Sequence, residues 1–379
     1  MNKKELVKNA LLRKKVPKFP IFMTATPQFM KRCTDYIKEG SLAIKSWQYC
    51  FDKDLDVVQV GHPSFYPVNL DLPRNSKYTD DWGRTHLILD YYDDFTAPFP
   101  LQKTRRVDAT EIKNNWETYE FPDPKDQKWF DDVEKIIKHN KQLDDPLSIW
   151  GVINGPFEPT WQLMSDGWPA YFMLARKEPE LAKEIINRIA EYSITAGVGL
   201  IERGVDVIRI GDDYAHNDGL LCRPKTWLEF LYPAHKRLIE GLKKAAGGEF
   251  PVILHSDGDI TEIFPWLKKS GIDALNPIQP DALEVDEVTN AVGSHLALTG
   301  AFDLRYFLDP ITDETCRKID GEINRLFSIF QRYNEAHTGS DRTGFCIGPT
   351  HQVQPTSHVE TFEYWIQQLH RYNEHIDSV

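Results

Sequence analysis

The residues best able to do chemistry stand at the ends of apolar runs. IGDDYAHNDG (210–219) puts Asp212 and Asp213 where a buried run ends. Two carboxylates near low dielectric need a cation, a hydrogen-bond donor or a shared proton. Either can instead cap a helix or accept from a loop amide; Asp213 is the catalytic candidate of the pair. Tyr214 and His216 follow as substrate-binding candidates, although His216 equally suits the open surface. VILHSDGD (252–259) carries His255 and Asp257. On an extended stretch both face one side, and imidazole plus carboxylate can bind a divalent metal such as zinc. The plainer role for His255 is an interior histidine bonded to a neighbour. FCIGPTHQVQPTS (345–357) places His351 in a turn-rich loop, with Cys346 inside the run as a small buried hydrophobe. GVINGPFEPTWQLMSDG (151–167) offers Glu158 where a helix starts, a place the helix dipole favours in any case. Trp161 and Met164 there are pocket wall or core. TGAFDLRYFL (299–308) adds Asp303, and Arg305 as anion clamp or plain surface charge.

Positioning these groups falls to eight β-rich runs: FPIFMT (19–24), DVVQVG (56–61), LSIWGV (147–152), DVIRIG (206–211), PVILHS (251–256), ALNPIQ (274–279), LALTGA (296–301) and GFCIGP (344–349). Most are continuously apolar, as strands buried on both faces are. Helical stretches at 178–203, 224–246, 260–270, 312–336 and 358–376 lie between the later ones. Gly204 marks the end of the first. The rhythm predicts an α/β fold, a (β/α)8 TIM barrel formed as one domain over 1–379. A doubly wound sheet is the rival topology. In a barrel, chemistry gathers at the C-terminal strand ends, so His255, Asp257 and His351 can converge despite their separation. Residues 62–146 form a Pro-, Asp- and Tyr-rich insertion with a hairpin expected near THLILDYY (85–92). It is expected to cap the barrel mouth, with the N-terminal helix beside it.

Composition narrows the function classes. Of 379 residues, 41% are hydrophobic and 27% charged, enough apolar material for a full core. Acidic residues outnumber basic ones by 57 to 45, a net −12, with no basic stripe for nucleic acid or an anionic membrane. No apolar window is long enough for a transmembrane helix. MNKKELVKNALLRKKVPKF lacks the apolar core of a secretory signal. Five scattered cysteines with no CxxC pair suit a reducing cytoplasm. No GxGxxG, GxxxxGK[ST], GxSxG or HExxH is present, which weakens hydride transfer, phosphoryl transfer and serine hydrolysis.

With those segments in view, the chain resembles the uroporphyrinogen decarboxylase superfamily over about 145–376. The likeness is carried by GVDVIRIGDDYAHNDGLLCRPKTWLEFLYPAHKRLI (204–239), PVILHSDGDITEIFPWLKKSGIDALNPIQP (251–280), LALTGAFDLRYFL (296–308) and GFCIGPTHQVQPTS (344–357). DDWGR at 80–84 looks like the family's insertion. The resemblance implies the same barrel and two activities. Porphyrinogen decarboxylases carry an arginine-rich loop near the N-terminus. Here that stretch reads KFPIFMTATPQFMKRC (18–33) and lacks the motif. The other branch, cobalamin-dependent methyltransferases, uses zinc held by a His-x-Cys motif and a later Cys. Here the motif reads His255-Ser256-Asp257, and His351 stands at the later position.

A His255/Asp257/His351 set, completed by Glu158 or Asp213, leaves a metal with an open position. Harder donors favour an oxygen substrate over a thiol. The resemblance therefore implies a methyltransferase that demethylates a small O-methylated compound, such as a phenyl methyl ether. Zn²⁺ is its expected metal, and its partner is a separate protein carrying cobalamin. Asp213 and Glu158 are the expected acids. Trp161, Trp168, Tyr171, Phe172, Phe65 and Tyr66 are candidates for an aromatic pocket. Tyr214, His216 and Asp303 join Trp161 as substrate contacts, and a homodimer is compatible with all of this. The alternative is a metal-independent decarboxylase of a non-porphyrin acid, working through Asp213, His255 and His351.

Overall fold

Seven short parallel strands follow one another around a ring in the computed structural model, which describes residues 1–36, 54–61, 72–89, 93–102, 107–338 and 342–375. They are β1 (Val57–Gly61), β2 (Ser148–Asn154), β3 (Val207–Gly211), β4 (Val252–His255), β5 (Ala274–Asn276), β6 (Ala297–Thr299) and β7 (Phe345–Cys346), bonded in that order. Residues 20–25 close the ring. Phe22 N donates to Ile347 O at 2.9 Å and Ile347 N to Pro20 O at 2.8 Å. On the other side, Asp56 N donates to Ile21 O at 2.9 Å, and the Asp56 carboxylate accepts from Ile21 N at 2.9 Å. The strand expected over 19–24 is thus two isolated bridges, at Ile21 and Ala25. Pro20 has no N–H to give, and a side-chain carboxylate replaces one backbone acceptor. The result is a TIM-barrel-type fold.

Alternation along each strand decides what the barrel holds. In β3, Ile208 and Ile210 join the large core under the helices, while Val207 points inward. Val207 meets Phe22, Val57, Trp150, Ile253, Ala274, Ala297 and Cys346 there. Cys346 is a buried interior hydrophobe, as its place in an apolar run suggests.

The N-terminal helix, Lys3–Leu11, meets the end of the insertion, where Lys3 N donates to Asp145 at 3.2 Å, but its apolar face turns to the barrel. It buries Leu6, Val7, Ala10 and Leu11 in that same interior cluster. Lys4 Nζ pairs with Asp206 just before β3 at 3.1 Å, and Arg13 donates to Leu296 O just before β6. The helix therefore plugs the floor of the barrel, the end opposite the chemistry. Its apolar face covers the lowest interior layer, which would otherwise meet water.

The helix Pro179–Arg203 matches the run expected at 178–203, and Gly204 ends it at φ 99°. The stretch expected at 224–246 is broken into a turn at Pro224–Thr226, a π-helical turn at Trp227–Leu231 and the helix Tyr232–Ala246. Pro233 withholds the N–H that an α-helix would give to Glu229.

Within the insertion, Lys77–Thr79, Thr85–Ile88 and Asp93–Thr96 form an antiparallel meander, which realises the hairpin expected near 85. Helices follow at Ala109–Glu117 and Asp131–Asn140. The described contacts run mainly to the outer face of the 179–203 helix. The Trp82 ring meets Tyr192 edge-on at 4.7 Å, Trp116 Nε1 donates to Glu184 at 2.9 Å, and Arg203 lies 3.6 Å over Phe130. Arg84 Nη1 donates to Gln162 at 2.6 Å, and Leu101 N donates to Leu163 O at 3.0 Å. The expected cap is thus, in its described part, a flank domain touching one edge of the mouth. Its large aromatics need an apolar surface, and the helix supplies it. Phe65, Tyr66 and residues 90–92 lie outside the described residues. Among the described residues, no helix is long and apolar enough to cross a membrane.

Candidate metal centre

His255 ends β4, Asp257 follows it by two, and His351 lies in the loop beyond β7. One ligand atom from each comes within 4.8 Å of the others. His255 Nε2 stands 4.0 Å from Asp257 Oδ1, and His351 Nε2 3.7 Å from Asp257 Oδ2. Tetrahedral zinc bonds of about 2.0–2.2 Å put donors about 3.3–3.6 Å apart, so both pairs lie within a few tenths of an ångström of that spacing. The His351 side chain is 46% exposed, so the cluster opens to solvent on that side.

The floor of the cluster is polar. Arg209 points inward from β3 and Asn276 from β5. Arg209 Nε and Nη2 lie 3.1 and 3.0 Å from Asn276 Oδ1, and His255 Nδ1 lies 2.7 Å from the same oxygen. With Nδ1 engaged below, Nε2 is the His255 atom that faces Asp257. A metal-binding histidine has this arrangement, its second nitrogen tied to a carbonyl-type oxygen.

Electrostatics agree with ligation. Burial, then the Arg209 charge, hold His255 and His351 toward their neutral form, the one that ligates. Burial raises the Asp257 carboxyl above its usual range, against the pull of Arg209. Asp213 is raised by burial and by the Asp257 charge, and it accepts from Asp257 N at 2.9 Å. Two crowded carboxylates beside two neutral imidazoles suit a divalent cation.

Comparison with known proteins bears on the same segments. The family described as uroporphyrinogen decarboxylase (URO-D) matches residues 102–372. The chain belongs to the uroporphyrinogen decarboxylase family. Among curated relatives of this family member, a methylated-thiol–coenzyme M methyltransferase of Methanosarcina mazei is 24% identical over 194 residues. That match spans 48% of this chain and 49% of the relative, so about half of each is compared. A uroporphyrinogen decarboxylase of Rickettsia bellii is 23% identical over 254 residues, 64% of this chain and 67% of the relative. A solved methyltransferase from Methanosarcina mazei superposes with a TM-score of 0.69 over 98% of this chain and 99% of that one, at 16% identity. That likeness establishes the fold.

The remaining candidates of this family member separate clearly. Asp212 is structural: its carboxylate accepts from Phe157 N and Glu158 N, the latter at 2.8 Å, and from Tyr214 Oη at 2.7 Å. It caps the short helix Phe157–Gln162. Tyr214, expected at the substrate, is buried, and its hydroxyl turns inward between Asp212 and His235. Its ring packs on Phe157 and Trp227, a wall position that offers no face to the mouth. His216 is exposed on a tight hairpin, where Nδ1 accepts from Asp218 N. Asp303 caps a short 3-10 helix and is held by Arg305 at 2.9–3.0 Å, so both serve the rim's own structure. Arg305 also pairs with Asp281.

Glu158 is half-buried in the first turn of its helix. Trp161 is partly buried, and its indole N–H has no acceptor among the described residues. Met164 and Tyr171 are core, Phe172 packs against it, and Trp168 is 37% exposed. Arg209, Asn276 and His235 escaped the sequence reading. A single charge at an inward position of DVIRIG was the available signal for Arg209.

Proposed function

We propose that this protein is a corrinoid-linked methyltransferase. It takes a methyl group from a small O-methylated compound, of the phenyl methyl ether class, and passes it to a separate corrinoid protein. The carrying observation is the convergence of His255, Asp257 and His351 within 4.8 Å at an open barrel mouth. The partial similarity to a methylated-thiol methyltransferase supports the methyl-transfer class. Imidazole and carboxylate donors, harder than thiolate, support an oxygen-bearing substrate.

His255, Asp257 and His351 would hold Zn²⁺, which when bound supplies Lewis acidity toward an ether oxygen. The chain's own groups do the rest. Asp213, whose partly buried carboxyl keeps its proton to higher pH than usual, can protonate the departing oxygen. Glu158, at the start of the helix that Asp212 caps, is the second candidate acid. Trp161 offers an indole N–H that has no acceptor among the described residues, in the segment after β2. The exposed His351 side leaves an approach for a docked protein.

The test mixes the protein with a reduced corrinoid protein and a panel of methoxyarenes, and follows corrinoid methylation by absorbance. Methylation with release of the matching phenol supports the proposal. Loss of CO₂ from a carboxylic acid without metal or corrinoid would instead support the decarboxylase reading.

A further inference from the structure

Arg209 is the one charged residue of β3, and its guanidinium has N–H donors and no acceptor. Nε and Nη2 both reach Asn276 Oδ1, and Asn276 Nδ2 donates to Thr299 O at 3.1 Å. Together these bonds fix which end of the amide is oxygen. Turning it over would set an NH₂ against the guanidinium and an oxygen against a carbonyl. The oxygen so held is 2.7 Å from His255 Nδ1. An amide oxygen only accepts, so this contact is a hydrogen bond when Nδ1 carries the hydrogen and Nε2 keeps its lone pair.

We propose that Arg209 is a positioning residue that, acting through Asn276, holds His255 as its Nδ1–H tautomer with a bare Nε2 toward Asp257. The role for a metal rests on the reading in the previous subsection; the tautomer does not. Arg209 Nη2 also stands 2.6 Å from His255 Nδ1. That contact would be a hydrogen bond only in the opposite tautomer. There, two lone pairs would face each other at 2.7 Å across Nδ1 and Oδ1. The Nε2–H would then point toward Asp257 Oδ1 from 4.0 Å, too far for a hydrogen bond. Nη2, for its part, already has Oδ1 to donate to.

A purely electrostatic role for Arg209 makes the contrary forecast. Removing a cation beside a cation site should tighten metal binding. Removing a residue that orients a ligand should weaken it about 10–100-fold.

The test uses metal-free protein with ¹⁵N-labelled histidine, the His255 signal being assigned by its loss in His255→Gln. Wild type should show Nδ1–H, and Arg209→Met a mixture or Nε2–H. In parallel, cobalt(II) titration should show Arg209→Met binding about 10–100-fold more weakly. Asn276→Asp added to Arg209→Met keeps an acceptor toward His255 Nδ1 and should restore the Nδ1–H tautomer, which is its readout, since its second oxygen gives up the bond to Thr299 O and its charge acts on cobalt(II) directly. If Arg209→Met does not fold, the wild-type tautomer and its retention in Asn276→Asp decide the matter. An Nε2–H wild type, or cobalt binding in Arg209→Met equal to or tighter than wild type, overturns the proposal. Wild type that shows Nδ1–H yet binds no cobalt(II) sustains the tautomer role and overturns the metal reading.

Discussion

The Asp213 carboxylate accepts the backbone N–H of Asp257 at 2.9 Å, so the loop after β3 holds the loop after β4 in place. Asp213→Ala should therefore weaken cobalt(II) or zinc binding by about 10-fold, through Asp257 and without touching the ligands. Asp213→Asn keeps an acceptor for that N–H. It should retain most of the metal affinity while losing methyl-transfer rate, because an amide gives up no proton. Metal titration and turnover, measured on both variants, separate the two roles.

Asp212 is expected to matter for stability instead. Asp212→Ala takes the acceptor from the N–H groups of Phe157 and Glu158 and leaves the Tyr214 hydroxyl only His235. Chemical denaturation should show a loss of about 1–3 kcal/mol, the usual cost of an unsatisfied buried group. Asp212→Asn, which still accepts, should lose less.

His235 sets an acid limit on the fold. It is fully buried, and burial pushes its pKa down to about 3. An unfolded histidine titrates near 6.5, so between about pH 6.5 and 3 the unfolded chain binds one more proton than the native one. Stability should be at its full value above about pH 6.5 and fall as pH drops, by up to about 1.4 kcal/mol per unit from this group. His235→Asn should show a shallower acid slope in urea unfolding measured across that window.

The ligands were legible in the sequence because a strand's period of two puts His255 and Asp257 on one side, and a barrel brings loop ends together at one mouth. The floor was not. Arg209 and Asn276 meet across β3, β4 and β5, a contact that needs the ring's register and not only its strands. Tyr214 and Asp303 misled for a different reason. Being near a strand end fixes the backbone, while the hydroxyl or carboxylate turns to whichever donor or acceptor lies inside. The length of the Pro-, Asp- and Tyr-rich insertion predicts a cap but does not say which surface it packs on. Yet Trp82, Trp116, Phe121 and Phe130 bind it to the outer helix face instead.

The insertion's own anchor is a buried ion pair. Arg84 Nε lies 2.7 Å from Asp80 Oδ2, both side chains are sealed from solvent, and His86 shares the same carboxylate. Asp80→Asn leaves the Arg84 charge without its counterion. A loss of about 3–5 kcal/mol in equilibrium unfolding is expected, as for one partner removed from a buried pair. Arg84 also holds Gln162, so the helix bearing Glu158 and Trp161 should lose hydrogen-exchange protection in the same variant.

The central claim is that His255, Asp257 and His351 hold one divalent metal. The most direct measurement is metal content by mass spectrometry of protein purified without chelator and then equilibrated with zinc, for wild type, Asp257→Ala and His351→Ala. The account predicts about one zinc per wild-type chain and well under half of that in each variant, with thermal unfolding little changed for the exposed His351. Wild type that takes up no zinc, or variants that keep it in full, would contradict the claim.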